Sequence, residues 1–161
     1  MGKISRVTFK RLSSIPLETL LGHINDKRVS EHLPLLTSRW SIEDARQFIE
    51  TKEAHWVKDG LGHWAVFVDD QYAGWGGFQK EDNEWDFGLV LTPEAFGSGL
   101  IITQKAIKFA QQNTDIPYIT FLLPLSRQHL RALKKLGAEF VGEVSYQDTL
   151  FKKFRLNISA Q

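Results

Sequence analysis

The residues from Trp85 to Leu100 are of types and spacings that could hold an anion. An alternating stretch, Trp85-Asp86-Phe87-Gly88-Leu89-Val90-Leu91, runs through Thr92-Pro93-Glu94-Ala95-Phe96 into Gly97-Ser98-Gly99-Leu100, where an amphipathic pattern begins. Strand, glycine-punctuated turn and helix in that order build an anion site. Glycines at 97 and 99 are expected to take positive φ and let backbone approach a ligand, while the first N–H groups of the helix point toward it unpaired. A phosphate is the natural guest, although an ordinary strand-to-helix turn carries the same bare pattern. Upstream, Glu84, Asp86 and Gly88 share one face of the strand, and Trp85, Phe87, Leu89 and Leu91 share the other. Two carboxylates there are unusual, and their ordinary reading is the solvent-facing edge of a hairpin.

These residues need elements to position them. Ile4 to Leu12 is strand-like around Val7 and Phe9, and Ile15-Pro16-Leu17 opens a helix through Leu20, Leu21 and Ile24 to Asn25. After a loop at His32 to Leu36, Ser41 with Asp44 makes an approximate capping box. The helix it starts carries Ile42, Ala45, Phe48, Ile49 and Trp56 at helical spacing and ends near Gly60. His63 to Val68 and Tyr72 to Gln79 flank Asp69-Asp70-Gln71 as a hairpin, and Glu81-Asp82-Asn83 turns the chain into the Trp85 strand. Gly74, Gly76 and Gly77 around Trp75 suggest a bulge or the close approach of another segment. The helix after Gly99 points Ile102, Ala106, Phe109 and Ala110 inward, with Lys105, Lys108 and Gln112 outward. Tyr118 to Leu123 is an apolar strand that stops at Pro124 and, following a helix, pairs parallel with the Trp85 strand. Ser126 is placed as N-cap of a short helix ending at Gly137, and Glu139 to Leu156 as a closing hairpin.

The bulk properties narrow the function classes. A chain of 161 residues, 42% hydrophobic and 12% aromatic, buries one good core, so residues 1–161 are expected to form one domain. Twenty basic and 19 acidic residues leave a net charge of +1 without long runs of one sign, which argues against nucleic-acid and membrane partners. With no cysteine, disulfides, thiolate metal ligands and a cysteine nucleophile are excluded. The five histidines lack helical metal spacing, so no metal is expected. No stretch approaches the ~20 apolar residues of a membrane span, and the first residues lack a signal-peptide core, which makes a cytoplasmic location the expectation.

Strand, Pro93-Glu94-Ala95-Phe96-Gly97-Ser98-Gly99 and amphipathic helix together resemble motif A of the GNAT superfamily of acetyltransferases, in which a Gln/Arg-x-x-Gly-x-Gly/Ala loop holds the pyrophosphate of acetyl-CoA. Ser126-Arg127-Gln128-His129-Leu130-Arg131-Ala132-Leu133-Lys134-Lys135-Leu136-Gly137-Ala138 resembles the second family block, Asn-x-x-Ser-x-x-x-x-x-Lys-Leu-Gly-Phe. The similarity extends over roughly residues 5 to 157 and is greatest to the Rim-type (ribosomal-protein N-terminal) branch. This chain has Glu94 where the family carries Gln or Arg, Ser126 for Asn, His129 for Ser and Ala138 for Phe.

The resemblance implies an α/β (α+β) fold, a single domain with a mixed central sheet, a splayed parallel strand pair and flanking helices. It implies acetyl-CoA as acyl donor, with Leu89, Val90 and Leu91 as backbone partners of the pantetheine arm. Phe96, Gly97, Ser98, Gly99 and Leu100 become the pyrophosphate cradle, and Ser126 a further cofactor contact. Asp86 and Glu84 fall on the strand where several relatives place or water-link a general base. His129 falls where a Rim-type serine is suggested to protonate the leaving thiolate, and the tyrosine acid of other branches falls at Leu133. The implied function is acetyl transfer to a primary amine, either a protein N-terminus or a small molecule, by direct attack. The rival is a module of the same fold that binds CoA or another ligand without catalysis. The acceptor pocket would come from the His32 to Trp40 loop and the terminal hairpin, and a homodimer is left open.

Overall fold

In the computed structural model, which describes residues 5–33, 36, 38–126 and 130–159, three tight turns of one kind set the sheet. Asp69-Asp70, Asp82-Asn83 and Gln147-Asp148 all have positive φ, between 48° and 69°. Paired left-handed residues give the primed turn whose twist matches that of the flanking strands, and Asp and Asn tolerate that region best. The first turn joins β2 (His63–Val68) to β3 (Gln71–Glu81), the second joins β3 to β4 (Glu84–Leu91), and the third joins β6 (Glu139–Tyr146) to β7 (Thr149–Asn157). Gln71, expected in the turn, is the first residue of β3.

With β1 (Val7–Arg11) and β5 (Tyr118–Pro124), these strands form a seven-stranded sheet in the order β1-β2-β3-β4-β5-β7-β6. Every pairing is antiparallel except β4 with β5. That parallel pairing is confined to Trp85 opposite Ile119 and Asp86 opposite Thr120. Beyond it the two strands separate, as the family resemblance implied.

One face of the sheet packs against α4 (Gly99–Asn113), where Trp64, Phe78, Phe87 and Ile119 meet Ala106 and Ala110 in a buried cluster. The inward residues Ile102, Ala106 and Ala110 are as the spacing predicts, and Thr103 is buried with them. The other face is covered by α1 (Leu17–Ile24) and α3 (Ile42–Asp59), with Leu12, Leu20, Ile24, Ala45 and Ile49 packed on Ala65. The α3 capping box is complete, with Ser41 Oγ accepting from Asp44 N and the Asp44 carboxylate accepting from Ser41 N. The same helix ends on left-handed Gly60. A one-turn helix, α2 (Lys27–Ser30), lies between α1 and α3.

The glycines around Trp75 mark close strand contact. A Cβ at Gly74 would sit 2.2 Å from the Val90 carbonyl oxygen, and one at Gly76 would sit 2.4 Å from that of Gly88. The bulge itself lies in the β2–β3 pairing at Val66/Phe67. Ser126 does not cap the last helix. That helix, α5 (Arg131–Leu136), has Leu130 as N-cap with no side-chain cap, and exposed Ser126 sits in the turn after β5. It lies too far before the first helical residue to reach the N–H groups a cap serves. The αL end at Gly137, with φ of 85°, is as expected.

Candidate active site

Between β4 and α4 the chain winds through a 3₁₀ segment, Pro93–Ser98, and enters the helix at Gly99. Gly97 and Gly99 are not among the residues with positive φ, and Gly99 is helical at φ −58°, ψ −41°. This corrects the expected conformation. A 3₁₀ turn running straight into an α-helix needs no reversal of hand. What the glycines provide is room. A Cβ at Gly97 would meet nothing within 4 Å, and one at Gly99 would meet only Leu91 Cδ1, at 3.8 Å.

Ser98 makes no side-chain cap bond, and the first turn of α4 holds no acidic residue. Uncapped N–H groups under open space, at the positive end of a helix of 15 residues, fit a pyrophosphate. Phe96 is 52% exposed on the rim of this space, with Ser98 and Leu100 half-buried. Glu94 is exposed, with a carboxylate oxygen 3.9 Å from the Arg28 guanidinium.

The edge of β4 is set by its pairing with β3. The carbonyls of Gly88 and Val90 are directed at Gly76 and Gly74, and Thr92 N donates to Ala73 O at 2.8 Å. Backbone groups alternate sides along a strand, so those of Leu89 and Leu91 face the gap opened by β5, and those of Val90 do not. Leu89 and Leu91 therefore have backbone groups open to an arm lying in the gap, while those of Val90 are directed at β3.

At the point where the gap begins, Asp86 lies between Gln79 of β3 and Thr120 of β5. Thr120 Oγ1 donates to Asp86 Oδ1 at 2.9 Å. Burial pushes the Asp86 carboxyl up to about 7, against the Thr120 hydrogen bond and the Lys153 charge, with Glu81 and Glu84 reinforcing the rise. Glu84 is placed differently. Lys153 Nζ donates to one of its oxygens at 2.6 Å and Tyr118 Oη to the other at 3.0 Å. The Lys153 ammonium holds this carboxyl below the usual range. One carboxyl is thus poised to exchange a proton near neutrality, and its neighbour stays ionised.

Of the wall facing Asp86, sequence reasoning named only the loop that ends at Trp40. Lys52 reaches from α3 to donate to Gln79 Oε1 at 2.7 Å, and burial lowers its ammonium to about 8. It follows Ala45 and Ile49 and precedes Trp56 on the buried stripe of α3, so a lysine at that spacing was a readable signal. Trp40, Phe48 and Trp75 continue the wall, Trp40–Phe48 at 5.1 Å and Phe48–Trp75 at 4.8 Å between ring centroids. His129 lies outside the described residues, as do Arg127 and Gln128. Leu133 is buried in the core beside Phe121 and Phe154. Among the described residues no group of three or more His, Asp or Glu side chains is arranged to hold a metal ion, and no helix is long and apolar enough to cross a membrane.

A family model described as an acetyltransferase (GNAT) domain matches residues 6–139. Among curated protein sequences, none matches. Solved structures share the fold. An N-acetyltransferase from Staphylococcus aureus Mu50 is 13% identical with a TM-score of 0.74, over 98% of this chain and 100% of that one. A spermidine N-acetyltransferase from Vibrio cholerae, in complex with CoA and spermine, is 12% identical with a TM-score of 0.75, over 94% and 95%. The aminoglycoside acetyltransferase AAC(6')-Ib, in complex with coenzyme A, is 13% identical with a TM-score of 0.76, over 96% and 95%. With a family match that takes in the sheet from β1, the splayed β4–β5 pair and the uncapped α4 terminus, the chain belongs to the GNAT acetyltransferase family.

Proposed function

We propose that this chain, acting as one domain over residues 1–161, transfers an acetyl group from acetyl-CoA to a primary amine by direct attack, with Asp86 as proton acceptor. The observation that carries this is the Asp86 carboxyl, held near 7 at the head of the β4–β5 gap. A base with that affinity ionises at physiological pH yet retains force to take a proton from an ammonium or an attacking amine.

Acetyl-CoA supplies the activated thioester. The uncapped N–H groups at Gly99 and Leu100, with Gly97 and Ser98 before them, would hold its pyrophosphate, and the free backbone groups of Leu89 and Leu91 would hold its arm. N–H groups on that open edge are also the donors available to a developing oxyanion. In the transfer the amine nitrogen bonds to the carbonyl carbon, the carbon–sulfur bond breaks, and the amine proton passes to Asp86. Glu84, fixed by Lys153 and Tyr118, keeps a negative charge near Asp86 and so sustains its basicity. By its motif position His129 is the proton donor to the thiolate, and Ser126 adds a contact beside the cofactor.

Two acceptor classes follow from different features. The block from Ser126 to Ala138 supports a place in the Rim-type branch and a protein N-terminus as acceptor. The aminoglycoside and spermine named for solved structures of this fold support a small-molecule amine. The composition and the chemistry of the donor support work in the cytoplasm. Mass-spectrometric screening with acetyl-CoA, amines and N-terminal peptides tests the reading. Acetyl products formed by the wild type and lost in Asp86→Asn are expected. Tight acetyl-CoA binding with no product from any amine would make the chain a binding module instead.

A further inference from the structure

On the α3 face of the sheet stands a cation that has no ion-pair partner among the described residues. Lys52 Nζ has Gln79 Oε1 as its hydrogen-bond partner and lies 5.4 Å and 5.8 Å from the ring centroids of Phe48 and Trp75. None of the ion pairs among the described residues engages it. An ammonium has three donors, and this half-buried one has a single neutral amide as acceptor among the described residues, so it keeps donors for a further partner. The surrounding wall holds further polar atoms without partners. Trp75 Nε1, which can only donate, is buried with no partner among the described residues, and so is Nδ1 of His63, whose ring stacks on Trp75 at 5.7 Å between centroids.

Around Lys52 stand Glu81 and Asp86 on the neighbouring strands, and His55 on its own helix with His63 on β2. Burial, with Lys52 and His55 adding to it, keeps His63 neutral. Lys52 is therefore the positive group of this wall, lying over the Trp75 ring. Its distance from the reacting end is short. Gln79, which holds the ammonium, is the cross-strand partner of Asp86, and such partners have Cβ atoms about 5 Å apart on the same face. The next position on the Asp86 face is Gly88, where a Cβ would meet nothing within 4 Å. That leaves a slot open beside the base.

Resting on the acetyl-transfer reading, we propose that Lys52 anchors a carboxylate of the acceptor, so that the amine acetylated is one carrying a carboxylate a few bonds from its nitrogen. One ammonium matches a monoanionic carboxylate, whereas a dianionic phosphate would call for more positive charge. A free amino acid and the acidic side chain of a peptide's first residue present the same chemistry. Polycations meet the ammonium head-on and are disfavoured.

The test uses the full chain with acetyl-CoA and four acceptor sets: free amino acids, their C-terminal amides, peptides beginning with Asp or Glu beside those beginning with Asn or Gln, and spermine. The wild type should prefer carboxylates to the matching amides by at least tenfold in kcat/KM, with the difference in KM. Lys52→Met should erase that preference. Thermal shift supplies a readout independent of turnover. Carboxylated amines should raise the wild-type Tm and leave that of Lys52→Met unmoved, while unliganded Lys52→Met melts higher than wild type at pH 7 because a half-buried charge is gone. Spermine or amides accepted as well as carboxylates, or a preference that survives in Lys52→Met, would overturn the anchor and leave acetyl transfer standing. A carboxylate-dependent thermal shift without turnover would keep the anchor and overturn the catalytic reading. Neither shift nor turnover would overturn both.

Discussion

Asp86 and Glu84 point from the same strand face, yet their surroundings give them opposite proton behaviour. Residue type and face were legible from the alternation of the strand. The environments were not, because the groups that create them, Thr120 and Lys153, come from strands 34 and 69 residues along the chain. With Asp86 as base, kcat/KM should rise with pH through about 7. Asp86→Asn should flatten that rise and lower turnover by roughly 10²–10⁴-fold, with acetyl-CoA affinity little changed by calorimetry. The stability consequence has a definite sign. The folded carboxyl keeps its proton to about 7 while the unfolded one releases it near 3.8, so across that window the folded state binds more protons and stability falls as pH rises. Asp86→Asn removes the penalty and should melt above wild type at pH 8 but close to it at pH 4, a difference on the order of 1–4 kcal/mol at the higher pH. Matching melting curves at pH 8 would mean the carboxyl is well solvated.

Elements were legible wherever a local rule decided them. Ser41 with Asp44 announced the start of α3 and Gly60 its end, and the Asp and Asn turns announced the hairpins. Knowing the Asp82-Asn83 turn also fixes Gln79 opposite Asp86, so part of the missed wall was within reach of the sequence. Ser126 failed because several residues separate β5 from α5, and a capping type is informative only at capping distance. At the proposed cradle the conformation differs from the one expected, since an open space and a left-handed turn both call for glycine. Gly99→Val should fill that space and weaken acetyl-CoA binding at least tenfold by calorimetry in a variant that still melts cooperatively. Unchanged affinity would put the pyrophosphate elsewhere. Glu94 faces solvent and Arg28, so Glu94→Gln should alter acetyl-CoA affinity by less than about twofold even at low salt. A several-fold tightening would show that the carboxylate feels the phosphates.

At the scale of the whole molecule, the order of strands and helices was readable along nearly the entire chain, and so was the single parallel pairing, because a strand–helix–strand connection dictates it. How far that pairing extends was set by tertiary packing, which no local pattern records. Its shortness divides the sheet into two plates, one of β1 to β4 and one of β5 with β7 and β6, joined at Trp85–Ile119 and Asp86–Thr120 and bridged by side chains packed under α4. Such a seam is an edge inside the sheet, with N–H groups on β4 that exchange with solvent until something bonds them. A ligand seated there acts as the missing strand and couples the plates mechanically. Hydrogen exchange should therefore show Leu89 and Leu91 among the fastest amides of β4 in the free protein. Added acetyl-CoA should slow them, and with them the amides of β5 and β7, which the ligand need not touch. Protection limited to the Gly97 to Leu100 turn would mean that the plates move independently whether or not the seam is filled.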